Sequence, residues 1–213
     1  MSALKPQGTV NTSHPRPVAL AHVVLLTTAG NYKAMVNFYT RVLAADISYR
    51  TETMTFLRYD HEHHRIAIIQ LPHIESRPEN KTLTGLDHVA FTFESLTSLA
   101  QTYATLRSDK EPIMPVWTVN HGPTTSMYYR DPDGNKVELQ VDNFDTLEES
   151  IEFMNGPLFA MNPFGTDFDA EEWATAILSK VGPNGEEGLS QNEIRKLKTR
   201  TEIGERLSPS FIG

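Results

Sequence analysis

Between Val119 and Glu138 the chain reads V-N-H-G-P-T-T-S-M-Y-Y-R-D-P-D-G-N-K-V-E, a run dense in side chains that can do chemistry. A histidine, a tyrosine, a D-P-D-G turn and a glutamate follow one another closely. Glu138 stands between Val137 and Leu139, in a segment that otherwise reads as an apolar strand. A carboxylate taken out of water there has to be compensated, and a metal ion is a compensation that the rest of the chain can help to supply. His22 and His88 open two β-rich segments, A-H-V-V-L-L and L-D-H-V-A-F. Two neutral imidazoles and a carboxylate make a facial triad with open coordination positions, as non-haem Fe(II) oxygen chemistry requires. Taken singly, each histidine has a plainer alternative, a hydrogen-bonded structural residue.

Composition narrows the chemistry. The 213-residue chain has no cysteine, so a metal site must be built from imidazole, carboxylate and water, which suit Fe(II), Mn(II), Zn(II) or Ni(II). A net charge of −8 argues against a nucleic-acid partner. No apolar run approaches the roughly 20 residues of a membrane span. Residues 1–16 are polar, contain two prolines and lack the apolar centre of a signal peptide, so they read as a flexible arm. The expectation is a cytoplasmic protein.

The elements that must position these residues follow from periodicity. Val18 to Thr27 reads as a buried strand. Tyr32, Met35, Val36, Tyr39, Val42 and Leu43 form the stripe of an amphipathic helix. Short strands follow near 46–50, 54–59 and 64–71, and then a polar, proline-containing linker over 72–84. The pattern repeats: a strand over 86–93, a helix capped by Ser95 with the stripe Leu96, Leu99, Ala100, Tyr103 and Leu106, and strands near 116–120, 125–130 and 136–141. The fold class is α+β: two tandem βαβββ modules, residues 17–72 and 85–143, curling into one open, barrel-like cup over 17–143. By strand alternation Glu138 faces away from Val137 and Leu139, and Tyr128 away from Met127 and Tyr129. If Val137 and Leu139 pack under the helices, Glu138 faces the cup. Residues 144–213 read as a helical C-terminal extension with capping-box spacings at Asp145/Glu148, Asp169/Glu172 and Ser190/Glu193. Between the first two lies G-P-L-F-A-M-N-P-F-G-T-D-F, read as an extended aromatic stretch. This tail is expected to pack on the domain or on a partner subunit of a homo-oligomer.

The Val119–Glu138 run resembles the signature of type I extradiol ring-cleavage dioxygenases, within the vicinal oxygen chelate superfamily of glyoxalases, bleomycin resistance proteins and dioxygenases. Val119, His121, Met127, Tyr128, Asp131, Pro132, Gly134 and Glu138 match it. The strands bearing His22 and His88 look like the family's two histidine-bearing strands. The resemblance covers residues 18–142, and the N-P-F-G-T-D-F segment is similar to the tails of single-domain members. It implies Fe(II) held by His22, His88 and Glu138, donors that Mn(II) also accepts. It also implies an acid–base histidine within H-E-H-H-R-I-A-I, falling on His64. Alternation puts His64 with Ile66 and Ile68, taken as the cup side, and an imidazole of pKa about 6.5 can take a proton from a bound diol and return it. His63 would face the other way and His61 lies further out, so both read as solvated. His121 and Tyr128 match positions that hydrogen-bond substrate or oxygen intermediates; their plainer readings are a loop-edge histidine and a core tyrosine.

Departures from the family sharpen the expectation. Glyoxalase-like relatives carry a fourth ligand, a glutamate, on the last strand of the first module, where this chain reads R-I-A-I-I-Q-L-P. Three ligands favour a bidentate diol plus oxygen. The family's distal-pocket aspartate has no match, since Thr124 and Thr125 occupy that loop, and the domain is not duplicated. The expected function is extradiol cleavage of a small catechol-type diol with O2. The alternatives are a glyoxalase-type lyase or isomerase, against which the missing carboxylate argues, and a metal-free binding or resistance protein, which has no need of the triad.

Overall fold

The computed structural model of the chain describes residues 14–78 and 84–182. Most of the expected N-terminal arm and the whole Ser190/Glu193 cap lie outside the described residues. Residues 14–78, 84–89 and 130–137 form one compact unit, and residues 90–129 and 138–182 a second.

In the first unit, β1 (Val23–Thr27), α1 (Tyr32–Val42), β2 (Asp46–Arg50), β3 (Met54–Arg58) and β4 (Ile66–Gln70) follow in βαβββ order. The sheet runs β1-β4-β3-β2, with β1 parallel to β4 and the other pairs antiparallel. The helix buries Met35, Val36, Phe38, Tyr39 and Val42, and the Tyr32 hydroxyl lies 2.6 Å from Thr55 Oγ1. Thr55 is therefore on the helix face. It pairs with Ile68 as Leu57 pairs with Ile66, and all four side chains are buried. The opposite face carries the row Val24, Ala67, Phe56 and Tyr49.

The structure departs from two expectations. The strand expected over Val18–Thr27 begins only at Val23 and is half-exposed, with Val24 at 47% and Leu26 at 49%. It is an edge strand, and the helix covers only its other face. Ile66 and Ile68 face α1 instead of a cup, and β4 begins two residues after His64. Strand alternation therefore does not apply to His64.

The second module repeats the topology. β5 (His88–Thr92), α2 (Leu96–Ser108), β6 (Trp117–Asn120), β7 (Thr124–Arg130) and β8 (Lys136–Asp142) give a sheet ordered β5-β8-β7-β6, the order of the first sheet again. Ser95 caps α2 as expected, accepting from the Ser98 amide in a reciprocal box with the Ser98 hydroxyl.

The tail adds α3 (Leu147–Met154), α4 (Pro157–Met161), β9 (Thr166–Asp167) and α5 (Ala170–Leu178), with β9 extending the second sheet beside β6. α5 starts at Asp169, which accepts from the Glu172 amide at 2.8 Å. It packs on α2, where Tyr103 and Arg107 both bind Glu171. The first cap of the tail is Thr146, which accepts from the Glu149 amide, so the expected Asp145/Glu148 box is one residue out of register. The stretch expected to be extended begins as a helical turn, because Pro157 at its first position presets helical φ and lacks an amide hydrogen that would go unbonded there. Among the described residues no helix is long and apolar enough to cross a membrane.

Candidate active site

In the first unit, the imidazoles of His22 and His64 lie with ring centroids 4.5 Å apart. His64 stacks on Phe56 at 4.6 Å, which places it on the helix-free face of the sheet. Its Nδ1 shares a hydrogen bond with Nδ1 of the exposed His63, whose Nε2 is 3.3 Å from Glu62. Burial, together with charge on His22 and His63, pushes the His64 pKa below the ordinary histidine value, and Glu62 opposes the shift. The Arg65 guanidinium fixes this corner. It binds the Asp60 carboxylate through Nε and Nη2, and its Nη1 donates to the carbonyls of Leu20 at 2.9 Å and Ala21 at 3.0 Å. The chain just before His22 is thereby tied to the start of β4.

His88 belongs to the same unit. Its Nδ1 donates to Asp87 Oδ2 at 2.7 Å, and Lys136 binds the same oxygen at 2.7 Å. Burial raises the Asp87 carboxyl, but the hydrogen bonds from His88 and Lys136 outweigh it and hold the group below the usual carboxylate range. With Nδ1 committed as a donor, the lone pair of the neutral ring sits on Nε2.

The second unit holds the other expected residues. Tyr128 is buried at 4% exposure and stacks on Trp117, its cross-strand partner, at 4.8 Å. His121 lies on the tight turn between β6 and β7, and its Nε2 is 3.0 Å from the Tyr128 hydroxyl. Its Nδ1 is 2.7 Å from the Phe164 carbonyl, in the tail. Glu138 is 4% exposed, between the buried Val137 and Leu139.

The structure thus brings His22 to His64 and His121 to Tyr128. Among the described residues no group of three or more histidine, aspartate or glutamate side chains is gathered closely enough to hold a metal ion. His22 and His88 belong to the first unit and Glu138 to the second. The chemistry of the donors nevertheless fits a divalent transition metal: two imidazoles, one already oriented by a carboxylate, and a carboxylate buried in a strand.

Residues 19–139 match the Glyoxalase/Bleomycin resistance protein/Dioxygenase superfamily. The chain belongs to this superfamily. Among curated proteins, it is 44% identical over 149 residues to biphenyl-2,3-diol 1,2-dioxygenase 2 of Rhodococcus globerulus, covering 70% of this chain and 76% of the relative. It is 45% identical over 164 residues to biphenyl-2,3-diol 1,2-dioxygenase 3 of the same organism, covering 76% and 83%. A lactoylglutathione lyase structure from Agrobacterium tumefaciens aligns over 60% of this chain and 96% of its own, at 18% identity and a TM-score of 0.44, too distant to bear on activity.

Within this superfamily member, several residues that hold the site were not singled out from the sequence. Arg65 leaves no local signal, because its carbonyl partners lie more than forty positions away. Asp131 matches the signature by its place in the D-P-D-G turn, but its anchoring role leaves no sequence signal. It is buried, accepts from the amides of Asp133 and Asn135, and takes the Tyr39 hydroxyl from α1 at 2.9 Å. The only signal for Asp87 is its position beside His88.

Proposed function

We propose that the chain is a non-haem Fe(II)-dependent extradiol dioxygenase that opens the ring of a catechol-type diol with O2. The observation that carries this reading is the 44–45% identity to two biphenyl-2,3-diol dioxygenases. The absence of a carboxylate from β4 (Ile66–Gln70) accords with it, because the glyoxalase-type alternative requires one there.

His22, His88 and Glu138 would hold the metal, and Mn(II) suits the same donors. An Fe(II) ion, when bound, supplies one centre where a diol and O2 meet, so that their reaction becomes effectively intramolecular. The chain's own residues then have distinct tasks. Asp87 turns the Nε2 lone pair of His88 outward. Arg65 anchors the backbone leading to His22. His64 is the acid–base group: burial, with charge on His22 and His63, holds its pKa below the ordinary histidine value, and its imidazole takes a proton from a diol hydroxyl and returns it to an oxygen of the opening ring. Stacking on Phe56 fixes the plane in which that proton moves. Tyr128 would hydrogen-bond a reacting oxygen, and His121, joined to its hydroxyl through Nε2, would act through it. Self-association belongs to the same reading: Met161 and Phe164 of the tail expose apolar surface, and a monomer by light scattering would remove it.

Oxygen uptake by the iron-loaded protein with a panel of catechols, biphenyl-2,3-diol among them, tests the function. The expected result is stoichiometric uptake with formation of a yellow ring-opened product. No uptake with any diol would overturn it.

A further inference from the structure

The tail strand β9 reaches β6 through a turn that contains Gly165 at φ +90°. A Cβ on Gly165 would lie 1.9 Å from the Asn120 carbonyl oxygen and 2.6 Å from His121 Cα, so backbone meets backbone there and only glycine fits. Asn162, itself buried, grips Gly165 on both sides: its Nδ2 donates to the Gly165 carbonyl at 2.8 Å, and its Oδ1 accepts from the Gly165 amide at 3.1 Å. The other side of the contact is equally fixed. Asn143 donates to Asn120 Oδ1 and to the Gly122 carbonyl, and Thr125 donates to Asn143. The Phe164 carbonyl is thus held 2.7 Å from His121 Nδ1 by two buried asparagine clamps.

A carbonyl oxygen can only accept, so Nδ1 of His121 carries the hydrogen. Nε2 of the neutral ring is then an acceptor, and the Tyr128 hydroxyl must donate to it. The opposite tautomer would make Nε2 the donor and turn the phenolic hydrogen elsewhere. We propose that the tail turn Asn162–Gly165 is a positioning element that sets the proton arrangement of the His121–Tyr128 pair, so that Tyr128 offers an oxygen acceptor, not a donor, to a hydroxyl of the substrate. This inference rests on the reading that His121 and Tyr128 stand at the substrate site.

The test is 15N NMR of the histidine rings in the full chain, with His121 identified by the signals lost in His121→Gln. The wild-type ring is expected in the Nδ1–H form, and Asn162→Ala is expected to shift it toward the Nε2–H form. Phe164→Ala, which removes a half-exposed side chain but keeps the carbonyl, leaves the tautomer as it was. Should Asn162→Ala fail to fold, Asn162→Asp retains the acceptor for the Gly165 amide, loses the donor, and is expected to shift the tautomer the same way. On iron-loaded protein the Asn162 variant lowers kcat about tenfold to 100-fold with KM little changed. A wild-type Nε2–H ring, or an Asn162 variant that folds with an unchanged tautomer, overturns the proposal. A shifted tautomer with unchanged kcat overturns its catalytic part. The tautomer is read without substrate, so the absence of diol oxidation by the wild type would sink the dioxygenase reading and not the clamp.

Discussion

At the scale of single residues, the site depends on side chains whose partners decide what their nitrogens can do. His88 is the clearest case. Asp87 takes its Nδ1 hydrogen at 2.7 Å and is itself held by Lys136, so the ring plane is set and Nε2 is the nitrogen left for the proposed metal. A carboxylate partner of this kind is worth about 10–100-fold in metal affinity. Asp87→Ala should therefore weaken Fe(II) or Mn(II) binding by about that factor while the chain stays folded, as read by metal titration beside circular dichroism. Wild-type affinity in the variant would show that Asp87 serves only the ion pair with Lys136. His64 makes the complementary prediction. It is proposed as the proton carrier and not as a ligand, so His64→Phe should bind metal as the wild type does and lose turnover about 100-fold or more. Phenylalanine keeps the stack on Phe56, which separates loss of the proton carrier from loss of packing. Oxygen uptake near the wild-type rate would remove the assignment.

At the scale of elements, local signals were readable and long-range ones were not. Ser95 caps α2 where the sequence places it, and the stripe on α1 is the buried one, because capping and amphipathic period are written within a few residues of each other. The repeat was also legible, and it reappears as identical strand order in the two sheets. The faces of β4 were not. Alternation carries no information on His64, since the strand begins at Ile66, and which side α1 covers is decided by Tyr32 meeting Thr55, a tertiary contact. The candidate metal donors could be named from residue type and equivalent position, whereas Arg65 and Phe164 act through partners over forty residues away and leave no local pattern. The D-P-D-G turn shows the same limit. Its Gly134, at φ +82°, is legible as a turn glycine, but the docking of the turn on α1 through Asp131 and Tyr39 is not. That bond is now a prediction. The Asp131 carboxyl is pushed up by burial, against the pull of its hydrogen bonds from Asn135, Tyr39 and Asp133. Tyr39→Phe leaves the buried Oδ2 with Asn135 as a side-chain donor and should cost about 1.5–3 kcal/mol. Urea unfolding measures this; a midpoint unchanged from wild type would mean the turn needs no anchor on α1.

At the scale of the whole molecule, the question is whether the metal builds the fold or only works in it. Chains that need a metal to fold lack a core of their own. Here each unit has one. The first packs Met35 and Val42 of α1 on Leu57, Ile66 and Ile68 of the sheet, and the second packs Leu99, Met127, Tyr129, Leu139 and Ile177, all with almost no exposed surface. None of these side chains is a metal donor. The proposed donors instead sit at the strand starts of the first unit and, with Glu138, in β8. The fold should therefore outlast the metal, whose contribution is limited to the binding linkage, about 2.7 kcal/mol when free metal is a hundredfold above its Kd. Exhaustive chelation should abolish oxygen uptake, leave the far-ultraviolet circular dichroism unchanged, and lower the melting temperature by only a few degrees. Uptake should then return on adding Fe(II) under anaerobic conditions before exposure to O2. Loss of helical and strand signal on chelation would show that the metal builds the fold, and would move His22, His88 and Glu138 from the chemistry of the molecule to its architecture.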